Sequence, residues 1–211
     1  FKWEHRKGWD VLLRGYWAEF RERPRGEVLL RLRSYVPHWE QGPRSVRTWL
    51  SQFAAKQPGS PTVEQLPAVE VFESELSREE LRAMYAASDA FVLPTRGEGW
   101  GLPVVEAMAM ALPVIVTDFS GPQAYLTPAN SFPLKYTGKG GSSAGQVEPD
   151  VTHLRKLLRH VATAAPIVLS DVGAAARSTM VSRFSPEVVL SAVEARLRDI
   201  GAGGGAGKAA A

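Results

Sequence analysis

The sequence predicts an α/β domain built on a parallel β-sheet with helices on both faces. Three observations carry this reading. Strand-like runs at residues 28–32, 69–72, 90–93 and 113–116 are separated by helical stretches of ten or more residues. Connections of that length suit crossovers between parallel strands, not hairpins. The run Ala90-Phe91-Val92-Leu93 is apolar at every position, as in a strand covered on both sides. Finally, the first helical pattern has only Phe1-Lys2-Trp3 in the place of a preceding strand's carboxyl end. The domain therefore reads as starting inside its sheet, with the first strand largely missing.

The elements follow in order. Trp9, Leu12, Leu13, Tyr16 and Phe20 mark one face of a first helix. Pro24 and Gly26 end it, and the strand at 28–32 follows. Val46, Trp49, Leu50 and Phe53 give a second amphipathic helix. Ser77 and Glu80 have capping-box spacing and predict a helix running towards Ala87. Gly97 to Gly101 is a glycine-rich loop, and Pro103 opens the next helix. Ser120-Gly121-Pro122 reads as a short helix start, 132–134 as a weak strand, and 138–145 as a flexible loop. Asp150 caps a helix bearing Leu154, Leu157, Leu158 and Val161. Another helix begins near Pro166, and a last one at Ser185-Pro186. We therefore expect one domain over 1–200. Residues 201–211, five Gly, five Ala and one Lys, read as a disordered tail.

Composition narrows the chemistry. The chain has 211 residues, is 45% hydrophobic and 22% charged, and holds no cysteine. Disulfide scaffolds, cysteine-ligated metals and cysteine nucleophiles are excluded. Absent cysteine fits a reducing compartment, and a cytoplasmic or cytosol-facing location is the expectation. No apolar run reaches the ~18 residues of a membrane helix. Residues 1–50 carry eleven Lys/Arg against six Asp/Glu, although the whole chain is only +3. A basic front favours an anionic partner, either the phosphate of a small ligand or that of nucleic acid. Against nucleic acid, no recognised motif is present and the basic residues are interspersed with acids. His5, His38, His153 and His160 lack metal-ligand spacing, and no Asp-x-Asp pair exists to hold a divalent metal on a diphosphate.

Two segments stand where ligands bind in open parallel sheets, outside the carboxyl ends of the strands. One is Arg96-Gly97-Glu98-Gly99-Trp100-Gly101-Leu102-Pro103-Val104-Val105-Glu106. Its glycines let the backbone approach a ligand, and it feeds a helix N-terminus suited to phosphate. Glu98 and Glu106 can reach one ligand from different sides, each carboxylate accepting two hydroxyls of a ribose or sugar edge. The bland alternative is a tight turn with two glutamates favoured by the helix dipole. The other segment is Lys2-Trp3-Glu4-His5-Arg6-Lys7-Gly8-Trp9, a cation cluster at another helix start, or simply a basic loop. Trp100, between two glycines, is either a stacking surface or packing.

Together these residues resemble a known family. Glu98 and Glu106, with seven residues between, match the E-x7-E motif of retaining glycosyltransferases of GT-B fold, family-4 type. The stretch from Asp89 through Ala109 resembles that family's core nearly position for position. Residues 112–117, Ser120-Gly121 and 6–13 resemble its neighbouring segments, so the likeness covers roughly 1–200.

The resemblance implies a Rossmann-like, C-terminal, donor-binding domain. It implies that Glu106 binds the ribose, that Glu98 meets hydroxyls of the donor sugar, and that Gly99, Trp100, Gly101 and Leu102 hold sugar and diphosphate through their backbone. Lys7 matches the phosphate-binding lysine, and Lys2 stands where the family usually carries an arginine. The base should lie near Phe72-Glu73. Glu98 and Lys7 are the catalytic candidates. The expected reaction transfers a hexosyl group with retention to an unknown sugar, lipid or protein acceptor, without metal or cofactor. A partner N-terminal domain of the same protein would complete the cleft. The alternative is a non-catalytic module that only binds nucleotide-sugar.

Overall fold

The computed structural model describes residues 1–139 and 145–203, and the side chains of all but the last residue or two at these boundaries. Five strands run parallel: β1 (Leu30–Arg33), β2 (Val69–Phe72), β3 (Phe91–Leu93), β4 (Val114–Thr117) and β5 (Phe132–Leu134). A short antiparallel pair follows, β6 (Tyr136–Lys139) with β7 (Val147–Pro149). The helices are α1 (Trp9–Phe20), α2 (Val46–Ala54), α3 (Arg78–Ala86), α4 (Leu102–Ala109), α5 (Val151–Thr163), α6 (Pro166–Phe184) and α7 (Pro186–Gly203). Among them, no helix is long and apolar enough to cross a membrane.

Side chains of β4 alternate between two layers, as strand geometry requires. Ile115, with Leu134 of β5, packs among residues of α1, α2 and α5. Val114 and Val116, with Leu93 of β3, pack among residues of α4 and α6. Helices thus cover both faces, and all four β4 residues are buried. Local signals set the helix starts. Ser77 Oγ accepts from the Glu80 amide while Glu80 Oε2 accepts from the Ser77 amide, the expected capping box. Asp150 caps α5 through the His153 amide, 3.0 Å.

The single expected sheet is two. β1 pairs only with β2, and β3 joins β4 and β5. Between β1 and β3 lies a cavity of about 840 Å³ lined by Leu30, Leu32, Phe91 and Val92, with Met84 and Tyr85 of α3. This corrects the expectation that β3 is buried on both faces, since Phe91 and Val92 are only half-buried. Residues 1–3 lie at one end of the gap. Lys2 bridges Tyr35 in parallel, Phe1 N donates to Arg33 O at 2.9 Å, and Trp3 N donates to Tyr35 O at 2.9 Å.

Four segments bear on the expected boundaries. The first strand starts at Leu30, two residues late, because residues before it turn through an Arg25–Val28 bridge. The weak candidate at 132–134 is a true strand, paired with the fully buried β4. The expected flexible loop at 138–145 begins instead as the end of β6, and its remainder falls largely outside the described residues. Of the expected tail, Gly201 to Gly203 finish α7 and 204–211 lie outside the described residues.

Candidate functional site

The glycine-rich loop leaves β3 at Pro94 and enters α4 through Gly101. It is anchored from below by Ser120, whose hydroxyl accepts from the Glu98 amide (3.0 Å) and donates to the Glu98 carbonyl (2.9 Å). Ser120 adopts φ +58°, a sparsely populated conformation for a residue with a side chain. The Gly121 amide adds a second bond to Glu98 O, 3.0 Å. A Cβ at Gly121 would stand 1.9 Å from Gly99 O, so only glycine lets the two loops touch. Tyr125 Oη donates to Trp100 O at 2.6 Å.

The basic segment packs beside this loop. His5–Lys7 form a 3-10 turn that ends at Gly8, in the left-handed region at φ +70°. A Cβ there would lie 1.8 Å from Pro94 O, and the turn could not approach β3. The contact is cemented by Arg96 N to Arg6 O (2.7 Å) and Arg6 Nη1 to Gly97 O (2.6 Å).

Lys7 Nζ therefore pairs directly with Glu98 Oε1. Arg6 Nη1 lies 3.5 Å from the same oxygen, and Thr95 Oγ1 donates to it at 3.4 Å. The Glu98 side chain is 7% exposed. Glu106 is on the exposed flank of α4 and is separate from this pair; its Oε2 accepts from Tyr85 Oη at 2.9 Å. Burial pushes the Tyr85 phenol well above its ordinary value, and the Glu106 charge adds to it. Tyr125 is raised by burial and then by the Glu98 charge. Among the described residues, the amides of Gly99, Trp100 and Gly101 have no hydrogen-bond acceptor. They are donors available to an oxygen-rich ligand at the start of α4.

The remaining candidates are placed as follows. Lys2 Nζ sits over the Trp39 ring, 4.7 Å from its centroid. Trp100 packs edge-on against Tyr125 and Phe184 while staying 37% exposed, so it both packs and faces solvent. Leu102 is 64% exposed at the first turn of α4. At the strand end expected to hold the base, Glu73 is occupied in capping α2, through the Val46 amide and Ser45 Oγ. Among the described residues, no group of three His, Asp or Glu could hold a metal ion.

Sequence reasoning missed the ion cluster behind the loop. Arg96 is 2% exposed and spans two carboxylates: Asp10 at 2.8 and 3.0 Å, and Glu148 at 2.8 Å twice. Burial opposes charge on Asp10, but hydrogen bonds and charge from Arg96, with Arg14, hold its carboxyl below the ordinary value. Burial likewise opposes charge on Arg96, and its bonds to Asp10 and Glu148 raise its pKa instead. No spacing signal announces such a cluster, because its members lie 86 and 52 positions apart.

The profile of the glycosyl transferases group 1 family matches residues 1–133. The chain belongs to this family. Over 95 residues it is 39% identical to the sulfoquinovosyl transferase SQD2 of Arabidopsis thaliana, covering 44% of this chain and 17% of that one. An α,α-trehalose 6-phosphate synthase from Burkholderia multivorans superposes with TM-score 0.76 at 15% identity, over 100% of this chain and 43% of that one. A trehalose-6-phosphate protein from E. coli, bound with UDP-2-fluoro glucose, superposes with TM-score 0.65 at 16% identity, over 86% of this chain and 39% of that one. This glycosyl transferase chain thus spans less than half the length of these relatives. The shared fold is the Rossmann-like C-terminal half of the GT-B architecture, as the resemblance implied.

Proposed function

We propose that this chain binds a nucleotide-sugar donor for retaining transfer of a hexosyl group to a sugar, lipid or protein acceptor. The observation that carries the reading is the convergence of Lys7, Glu98 and the Gly99–Gly101 amides at the start of α4. Lys7 and those amides would take the diphosphate, the cation and the helix dipole together supplying positive charge. Glu98 would turn to hydroxyls of the sugar once phosphate replaces it at Lys7. Glu106, exposed and oriented by Tyr85, would accept both ribose hydroxyls.

In the transfer, the bond from the anomeric carbon to the diphosphate oxygen breaks with its electron pair left on the diphosphate, the acceptor hydroxyl oxygen bonds to that carbon on the same face, and the hydroxyl proton passes to the departing diphosphate. Lys7 and the preorganised amides would stabilise that growing charge electrostatically. Lys2 would add positive charge from its place over Trp39. The reading assigns charge neutralisation to these groups rather than to a divalent metal. It leaves acceptor binding to the N-terminal domain of the same protein, and a chain without that domain would act only as a nucleotide-sugar-binding module.

The experiment is a calorimetric screen of UDP, GDP, ADP and their hexose conjugates against this chain, with and without a chelator. Saturable binding of one diphosphate and its sugar, unchanged by the chelator, supports the proposal. Binding lost with the chelator and restored by magnesium or manganese refutes the metal-free part. No binding of any ligand refutes the donor site.

A further inference from the structure

Resting on the donor-site reading, we propose that Arg96 is a positioning residue that sets Lys7 and Glu98 against each other from behind the loop. Its guanidinium has five N–H donors, and the structure engages all five. Nε and Nη2 take the two Glu148 oxygens, Nη1 and Nη2 take the two Asp10 oxygens, and Nη1 also donates to His5 O at 2.7 Å. The backbone of the same residue ties two of these elements a second time. Arg96 N donates to Arg6 O, and Arg96 O accepts from Val147 N at 3.0 Å.

Four pieces of chain are thereby tied at one residue. They are the 3-10 turn bearing Lys7, the N-terminal turn of α1 through Asp10, the loop bearing Glu98, and the β7 strand through Val147 and Glu148. Charge is balanced inside the cluster, because Asp10 is also held by Arg14 at 2.7 Å. Lys7 and Glu98 come from loops 91 positions apart, and neither side chain sets its own backbone. A planar fork can bridge two carboxylates and a carbonyl at once. A lysine ammonium keeps the charge and loses that reach.

The test is amide hydrogen exchange with calorimetry on the 211-residue chain, comparing wild type, Arg96→Lys and Glu148→Gln. Arg96→Lys is expected to speed exchange at Lys7, Gly8, Arg96 and Val147 by about tenfold or more, leaving α6 at wild-type rates. It should weaken the bound nucleoside diphosphate among UDP, GDP and ADP by about tenfold, the scale of one charge-assisted bond, and spare the parent nucleoside. Glu148→Gln, which leaves the Asp10 contacts in place, should speed the same amides by a smaller factor, and it carries the test where Arg96→Lys fails to fold. Wild-type exchange rates at those four amides overturn the proposal. So does faster exchange over the whole chain with nucleoside and diphosphate weakened together, the mark of a merely structural role. A wild type that binds none of the three diphosphates removes the donor reading instead, while the exchange rates still decide the role of Arg96.

Discussion

Lys7 and Glu98 stand 91 positions apart in the chain, and in the fold the ammonium rests directly on the carboxylate. Their side chains are only 11% and 7% exposed, and Glu98 directly precedes the amides of the glycine loop. A ligand phosphate would exchange one anion for another at Lys7 and free Glu98 for a new partner. Lys7→Ala should then weaken nucleoside diphosphate binding by about 1.5–3 kcal/mol, the range for a bond to a charged group, and leave the free nucleoside unaffected. Titration calorimetry checks both values; equal diphosphate affinities for variant and wild type contradict it.

The approach of the Lys7 turn to β3 depends on Gly8. An alanine there meets both a left-handed backbone and the Pro94 carbonyl. Strain of ~1–2 kcal/mol and overpacking of ~1–3 kcal/mol give an expected loss of roughly 2–5 kcal/mol. Gly121→Ala, whose backbone is ordinary, should show the overpacking part alone. Urea denaturation of the two variants measures this, and a Gly8→Ala protein as stable as wild type would mean that the turn does not seat against Pro94.

Acid should loosen the site through Asp10. Its folded pKa lies below the ordinary 3.8 because, against burial, Arg96 and Arg14 favour the carboxylate. A depressed folded value contributes stability that is fully present above the unfolded pKa and is lost as pH falls through the folded one. Stability should therefore decline from about pH 4 downward. Asp10→Asn should flatten that decline, and at pH 7 it should cost roughly 3–5 kcal/mol by leaving Arg96 without one partner. Denaturation midpoints from pH 2.5 to 7 decide it; an unchanged acid slope in the variant rules out Asp10 as the group responsible.

Much of this was legible in the residues themselves. The Ser77–Glu80 capping box, the alternation of strand and helix and the Gly97–Gly101 loop are local features, written within a few positions of one another. The sequence offers the two glutamates as candidate ligand groups, and the fold separates them: Glu98 faces Lys7, and Glu106 faces Tyr85. What stayed hidden is long-range. Arg96 looks like any polar residue beside a loop until Asp10 and Glu148 are folded onto it. The β6–β7 pair was hidden by Gly138 and the glycine run after it, which read as loop. Lys2 kept its charge assignment on sequence grounds, but a nearby Trp39 face offers it a different resting place.

The central claim, that the loop and first turns of α4 grip a nucleotide-sugar, is tested most directly by calorimetry on Glu106→Ala and Glu98→Ala with two ligands, the nucleoside diphosphate and its hexose conjugate. Glu106→Ala should weaken both by about 1.5–3 kcal/mol, because both carry the ribose. Glu98→Ala should weaken the conjugate and spare the plain diphosphate. Affinities equal to wild type for both variants and both ligands would contradict the account and leave the two glutamates as structural partners of Lys7 and Tyr85.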